Sequence, residues 1–245
     1  MRDKLISGLK QYPLVYKFTR FLYWKILSLK SNILGTKVEE RRWSRRKVEE
    51  IKKGFSNLNH PHRNFLIGEI NALYPFSDVL EVGCGYGPNL YLLSKKFPQL
   101  KFTGIDINPS SIQEGKKWLL QKGISNIHLF TCKVDRLKQF EDKTFDIVFT
   151  DALLIYIGAD KINRVLKEMF RISRKALIFL EQDYRHNPED LSGSGIYRFG
   201  HWERHYLDLL KHFTSEKQIQ ISKIPYNVWP GGDWSKRGYL IRVIL

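Results

Sequence analysis

A chain of 245 residues can bury one sizeable core, and a net charge of +16 favours an anionic partner: nucleic acid, an acidic glycan or a membrane surface. The charge is uneven, since residues 1–60 hold 15 Lys and Arg against 5 Asp and Glu. Neither cysteine, Cys84 or Cys132, belongs to a metal-ligand cluster; both read as thiols of a reducing compartment, and basic residues interrupting the N-terminal apolar ones speak against a signal peptide.

Residues 1–35 are rich in Leu, Ile, Phe, Tyr and Trp, interspersed with Lys10, Lys17, Arg20, Lys25 and Lys30. The longest uncharged run between Lys10 and Lys30 is far below the roughly 20 residues that span a bilayer. Leu14, Phe18, Phe21, Leu22 and Leu29 recur at helical spacing after Pro13, with Lys25 intruding. Two readings stay open: an interfacial helix on anionic lipid, or a helix packed on the rest of the chain or on a second copy. Residues 36–55 read as one charged helix, with Thr36 and Glu39 at capping-box spacing and Trp43 within it. Asn59-His60-Pro61-His62-Arg63 reads as a loop leading to a helix over 64–73. The economical division is an N-terminal helical extension, 1–58, and one domain, 59–245.

Val79, Leu80 and Val82 suit a buried parallel strand, with Glu81 near its carboxyl end. Gly83, Gly85 and Gly87 follow at alternate positions, and residues 90–97 then read as a helix. Glycine lets a ligand approach the backbone, and open α/β sheets bind small molecules at such βα turns. Dinucleotide binders use Gly-x-Gly-x-x-Gly over a pyrophosphate. Here the spacing is Gly-x-Gly-x-Gly after an acid, which would repel pyrophosphate and suits a cationic ligand. A second strand over 102–107 carries Asp106, 19 residues after Gly87, near the spacing of a ribose-binding acid.

Asn108 and Pro109 are a good N-cap and N1 pair for a helix through Gln121, stopped by Gly123. Further strands are expected over 127–131, 145–150 and 176–180, with a helix over 161–171. Residues 184–200 read as an irregular polar stretch of the kind that forms functional lids or disordered segments. His201 to Tyr206 opens a further helix, and strands near 219–221 and 239–244 close the chain around a loop holding Trp229 and Trp234.

The run Val79-Leu80-Glu81-Val82-Gly83-Cys84-Gly85-Tyr86-Gly87 resembles motif I of class I S-adenosylmethionine (SAM)-dependent methyltransferases, and residues 102–107 resemble the second strand of that fold. The resemblance spans about residues 60–245, with its specific motifs within 78–156. It implies an α/β fold: a Rossmann-like, mostly parallel seven-stranded sheet whose last strand is antiparallel, with helices on both faces. It also implies SAM as cofactor, held by Glu81, Gly83, Cys84, Gly85, Gly87, Asn89, Asp106, Ile107, Thr150, Asp151 and Ala152. Asp106 would hold the ribose hydroxyls, and Asp135 stands where relatives place an acid on the adenine amine. The family's Gly-Asp is Val-Asp here. In similar enzymes an N-terminal helix like that of Trp43 lies over the cofactor. Where relatives carry a Leu-His-His-like element, this chain has Leu154-Ile155-Tyr156, so no catalytic histidine is assigned there. No Asn-Pro-Pro-Tyr-type motif follows the fourth strand, against amino methylation of DNA bases or glutamine.

Methyl transfer to a hydroxyl needs a general base. His201, His205 and Asp183, with Glu181, follow the fifth strand on the face where substrate should enter, and are the catalytic candidates. No metal is called for. Three function classes stay open: metal-independent O-methylation of a small molecule or a lipid-linked or cell-surface saccharide, methylation of RNA or other nucleic acid, and non-catalytic SAM binding. The charge motivates nucleic acid, but no RNA-binding module is visible. The expected location is cytoplasmic, with a peripheral place at the inner face of the membrane if residues 1–35 dock there. A homodimer stays open.

Overall fold

The computed structural model describes residues 12–55, 57–184, 193–198 and 200–245. The apolar run of motif I forms strand β1 (Asp78–Val82), buried at every residue after the first. Beside it lie β2 (Lys101–Asp106), β3 (Ile127–Thr131), β4 (Phe145–Asp151) and β5 (Ser173–Gln182), all parallel. The last two strands, β8 (Ile219–Lys223) and β9 (Gly238–Ile244), form the expected antiparallel pair, with β9 inserted between β5 and β8. The sheet order is β3-β2-β1-β4-β5-β9-β8. The order therefore reverses between β1 and β4, and a crevice opens there at the carboxyl ends of the strands.

Successive strand residues point to opposite faces, and the core splits accordingly. Val79 and Ile147 pack with Leu66 and Ile70 of α4 (Pro61–Asn71), Leu90 and Leu93 of α5 (Pro88–Lys96), and Leu119 of α6 (Pro109–Gln121). Their neighbours Leu80 and Val148 pack instead with Val165, Leu166 and Met169 of α7 (Ile162–Ile172), and with Leu209 of α8 (Tyr206–Leu210). Each fully buried side chain of this size stabilises the fold by about 1.5–3 kcal/mol. As expected, the Asn108 side chain accepts the Ser111 N–H at the start of α6.

The N-terminal segment departs from the expectation. Helix α1 (Pro13–Leu34) is followed by two short helices, α2 (Lys37–Ser44) and α3 (Val48–Phe55), in place of one over 36–55. Thr36 does not cap through Glu39. Its hydroxyl donates to Asp160 Oδ1 (2.7 Å) and accepts the Gly158 N–H (2.8 Å), while buried Glu39 accepts from Tyr197 Oη (2.6 Å). These bonds tie the extension to the sheet domain. His201–Glu203 is a strand, β7, paired with β6 (Ile196–Arg198), and the helix expected from residue 201 begins only at Tyr206. Of the irregular stretch 184–200, residues 185–192 and 199 lie outside the described residues, as do residues 1–11 of the basic N-terminus.

Candidate active site

A cavity of about 300 Å³ opens at the carboxyl ends of β1, β2 and β4. Its floor is the glycine turn. Gly83 and Gly85 adopt φ of 81° and 58°, and a Cβ on Gly83 would stand 2.8 Å from Leu153 Cδ1, so glycine is required there. Asp106 braces the turn: Oδ2 accepts from Gly85 N (2.9 Å) and Oδ1 from Asn108 N (2.8 Å). Burial raises its pKa, and these two backbone donors counter the shift. Each carboxylate oxygen keeps a further lone pair.

Two other acids line the cavity and are less satisfied. Glu81 Oε1 accepts from Asn89 Nδ2 (2.7 Å), but Oε2 is buried with no hydrogen-bond partner among the described residues. Burial pushes the Glu81 pKa up to about 8. Asp151 Oδ2 accepts from Asn89 Nδ2 and His62 Nε2 (both 3.0 Å), while Oδ1 is likewise buried and unpartnered among the described residues. Burial works to raise the Asp151 pKa, but His62 and the Arg63 guanidinium hold it below the usual range. Arg63 Nη1 donates to Asn89 Oδ1 (2.6 Å) and lies 3.8 Å from Asp151.

Above the turn, Trp43 packs on Tyr156 with ring centroids 4.8 Å apart, and its carbonyl accepts from Asn108 Nδ2 (2.9 Å). Both aromatic residues line the cavity, with Thr36, Glu39 and Glu40 of the extension. The extension is thus the roof of the site.

Of the expected cofactor residues, Glu81, Gly83, Cys84, Gly85, Asn89, Asp106, Ile107, Asp151 and Ala152 line the cavity. Gly87, Asp135 and Thr150 do not. Gly87 starts α5 in the left-handed conformation. Asp135 pairs with Lys161 (2.8 Å) and Arg164 (3.0 Å), outside the lining. Thr150 faces the core and donates to Glu181 Oε1 (2.8 Å). The same oxygen accepts from Leu153 N and Leu154 N (2.9 and 2.8 Å), so Glu181 anchors the turn carrying Tyr156, and burial raises its pKa to about 7.

The catalytic candidates stand apart from the cavity lining. His201 Nε2 contacts the Tyr184 hydroxyl, His205 Nδ1 pairs with Asp208 Oδ2 (2.7 Å), and Asp183 Oδ1 accepts from Tyr206 N (3.0 Å). His60 and His62 do not line the cavity either, but His62 bonds to Asp151, which does, and His60 stands behind His62. His62 is 4% exposed, stacks on Trp229 (4.3 Å), and brings its Nδ1 to 2.5 Å from His60 Nδ1. Trp229 in turn stacks on Trp234 (4.0 Å). The only sequence signal for this group was the loop His60-Pro61-His62-Arg63, which gave no hint of Asp151.

Sheet order, glycine turn and second-strand acid together define the class I SAM-dependent methyltransferase fold. Residues 79–176 match the family described as a methyltransferase domain. Over 93 residues the chain is 40% identical to tRNA (guanine-N(7)-)-methyltransferase of Porphyromonas gingivalis, covering 38% of this chain and 36% of that one. Over 107 residues it is 26% identical to malonyl-[acyl-carrier protein] O-methyltransferase of Anoxybacillus flavithermus, covering 44% and 39%. The chain spans about half or less of the length of the curated relatives it matches. Among solved structures, a SAM-dependent methyltransferase from Aquifex aeolicus shares the fold, with a TM-score of 0.53 and 17% identity over 82% of this chain and 99% of that one.

The residues present fit SAM. The unpartnered oxygens of Glu81 and Asp151 suit its ammonium and sulfonium charges, Arg63 its carboxylate, and the spare lone pairs of Asp106 its ribose hydroxyls.

Proposed function

We propose that the protein transfers the methyl group of SAM to a hydroxyl oxygen of a small molecule or saccharide, with His60 as general base and without a metal. SAM supplies a methyl on a sulfonium, whose departure needs no protonation. The chain's residues therefore have two tasks: to align and dehydrate the reactants, where alignment alone can supply about 7–11 kcal/mol, and to take the hydroxyl proton. His60 would take the acceptor hydroxyl's proton at Nε2, while SAM, when bound, would supply the methyl group and take up the bonding electrons at its sulfur.

The observation that carries this reading is the contact chain His60–His62–Asp151, which ends on a cavity-lining carboxylate. With both rings neutral, Asp151 requires the proton of His62 on Nε2. His60 Nδ1 also faces the His62 backbone N–H at 3.4 Å, but the 2.5 Å contact between the two Nδ1 atoms outweighs that long bond, so the proton between them belongs to His60, whose Nε2 keeps its lone pair. Burial, His62 and Arg63 lower the His60 pKa, which favours the neutral form that a base needs. Alkylation of guanine N7 needs no such base, because that nitrogen carries no proton.

The rival reading, an RNA methyltransferase, draws on the local identity to the tRNA enzyme and on the +16 charge. Incubating the protein with methyl-labelled SAM and either saccharide and lipid extracts or total tRNA separates the two. Label in methyl ethers, formed equally in EDTA, supports the proposal. Label in 7-methylguanine, or activity that EDTA abolishes and Mg²⁺ restores, overturns it.

A further inference from the structure

We propose that α1 lies on the surface of an anionic lipid bilayer through its outward apolar stripe, a role separate from the chemistry above. Leu14, Phe18, Leu22, Ile26, Leu29 and Ile33 are all exposed, Leu14 at 83% and Ile33 at 73%. At 3.6 residues per turn they form one stripe, roughly 28 Å long at 1.5 Å per residue. The opposite face is occupied. Ser31 is buried and the Trp24 ring stands against Gly200, while at the edge of the stripe, in line with Leu14, the Asn32 side chain exchanges hydrogen bonds with the Tyr197 backbone (3.0 and 3.4 Å). The helix is therefore fixed with its apolar stripe pointing away from the domain.

Charge identifies the occupant. Helix α1 carries Lys17, Arg20, Lys25 and Lys30 and no Asp or Glu. Lys17 and Lys30 fall on opposite flanks of the stripe, and Lys25 Nζ lies over the Phe21 ring (5.1 Å). A second copy meeting this face would set lysines against lysines with no acid on the helix to offset them. Anionic headgroups pair with the lysines while the acyl boundary takes the apolar side chains. No helix among the described residues is long and apolar enough to cross a membrane, so the expected pose is parallel to the surface. Only Gly35 and Thr36 separate α1 from α2, the roof of the cavity, so docking sets the cavity beside the lipid surface.

The test is sedimentation of the full chain with vesicles of phosphatidylglycerol and phosphatidylcholine, against phosphatidylcholine alone. The wild type should pellet with the anionic vesicles only, and high salt should release it. Replacing Lys17, Lys25 and Lys30 by Ala should weaken partitioning on the order of 100-fold, from about 1 kcal/mol per basic residue near such a surface. The triple variant F18S/L22S/L29S should also lose binding, and both variants should keep the wild-type circular dichroism and thermal midpoint because the altered residues are exposed. The proposal fails if the wild type ignores anionic vesicles or if the serine variant binds as well as the wild type. It also fails if light scattering finds a dimer that the serine substitutions dissociate, since a second copy then covers the stripe.

Discussion

His62 Nε2 lies 3.0 Å from Asp151 Oδ2 although 89 positions separate them in the chain. The bond joins the first turn of α4 to the carboxyl end of β4 and carries a histidine to the edge of the cofactor cavity. Asp151 is the hinge of the site, shared by His62, Asn89 and Arg63.

If His60 is the base, H60A should lower kcat by about 10²–10⁴-fold, with the affinity for S-adenosylhomocysteine unchanged. The active form is neutral, so activity is lost as pH falls through the His60 pKa. Because that pKa is lowered from 6.5, the acid limb of the pH–rate profile should lie below the usual histidine range. H62A, which cuts the link to Asp151, should move that limb. A limb identical to the wild type in H62A would refute the relay.

D106A should weaken binding of SAM and S-adenosylhomocysteine by at least about 100-fold, since two charge-assisted hydrogen bonds of about 1.5–3 kcal/mol each are lost. The same change releases Gly85 N and Asn108 N, so D106N, which keeps an acceptor, should retain part of the affinity. Calorimetry that finds unchanged affinity for D106A, or tight NAD binding by the wild type, contradicts the assignment.

Glu81 couples binding to pH. Its pKa near 8 in the free protein means that the buried carboxyl is largely protonated at neutrality, whereas a cationic ligand favours the carboxylate. Affinity for SAM should therefore rise with pH up to about 8, and E81Q should flatten that dependence at weaker affinity. Stability runs the other way. A group whose folded pKa is raised stabilises the fold fully below its unfolded pKa of 4.5, and this contribution is lost as pH climbs toward 8. E81Q should thus raise the thermal midpoint of the ligand-free protein at pH 8 and above. A lower midpoint there would contradict the burial account.

Helix α6 approaches the glycine turn so closely that a Cβ on Gly115 would stand 2.5 Å from the Tyr86 carbonyl oxygen and 2.8 Å from Leu129 Cδ1. Since the first contact is backbone, relief requires moving the helix or the turn. G115A should cost about 1–3 kcal/mol in denaturant unfolding, the range for overpacking, and should weaken SAM binding as well. A neutral result would show that the helix shifts freely.

The glycine turn, the acid of β2 and the alternation of strands and helices were legible in the sequence because each is local. A strand, a tight turn and a helix N-terminus lie within a dozen residues, and the spacing from Gly87 to Asp106 follows from one helix and one strand. The antiparallel position of β9 came from the family resemblance and agrees with the structure. Long-range geometry was not legible. His201 was expected to open a helix, yet it begins β7, in register with Arg198 of β6, and pairing between strands outweighs local preference. Asp183 and His205 sit near the right strand end but hydrogen-bond to Tyr206 and Asp208, while His62, backed by His60, reaches Asp151 of the cavity from the first turn of α4. The stripe of α1 is the sharpest division: its periodicity marks an apolar face without saying whether that face meets the core or solvent. Gly200, Tyr197 and Asp160 decide the matter by holding the opposite face, one edge of the stripe and the α1–α2 turn, because a helix pinned on one side must turn the other outward.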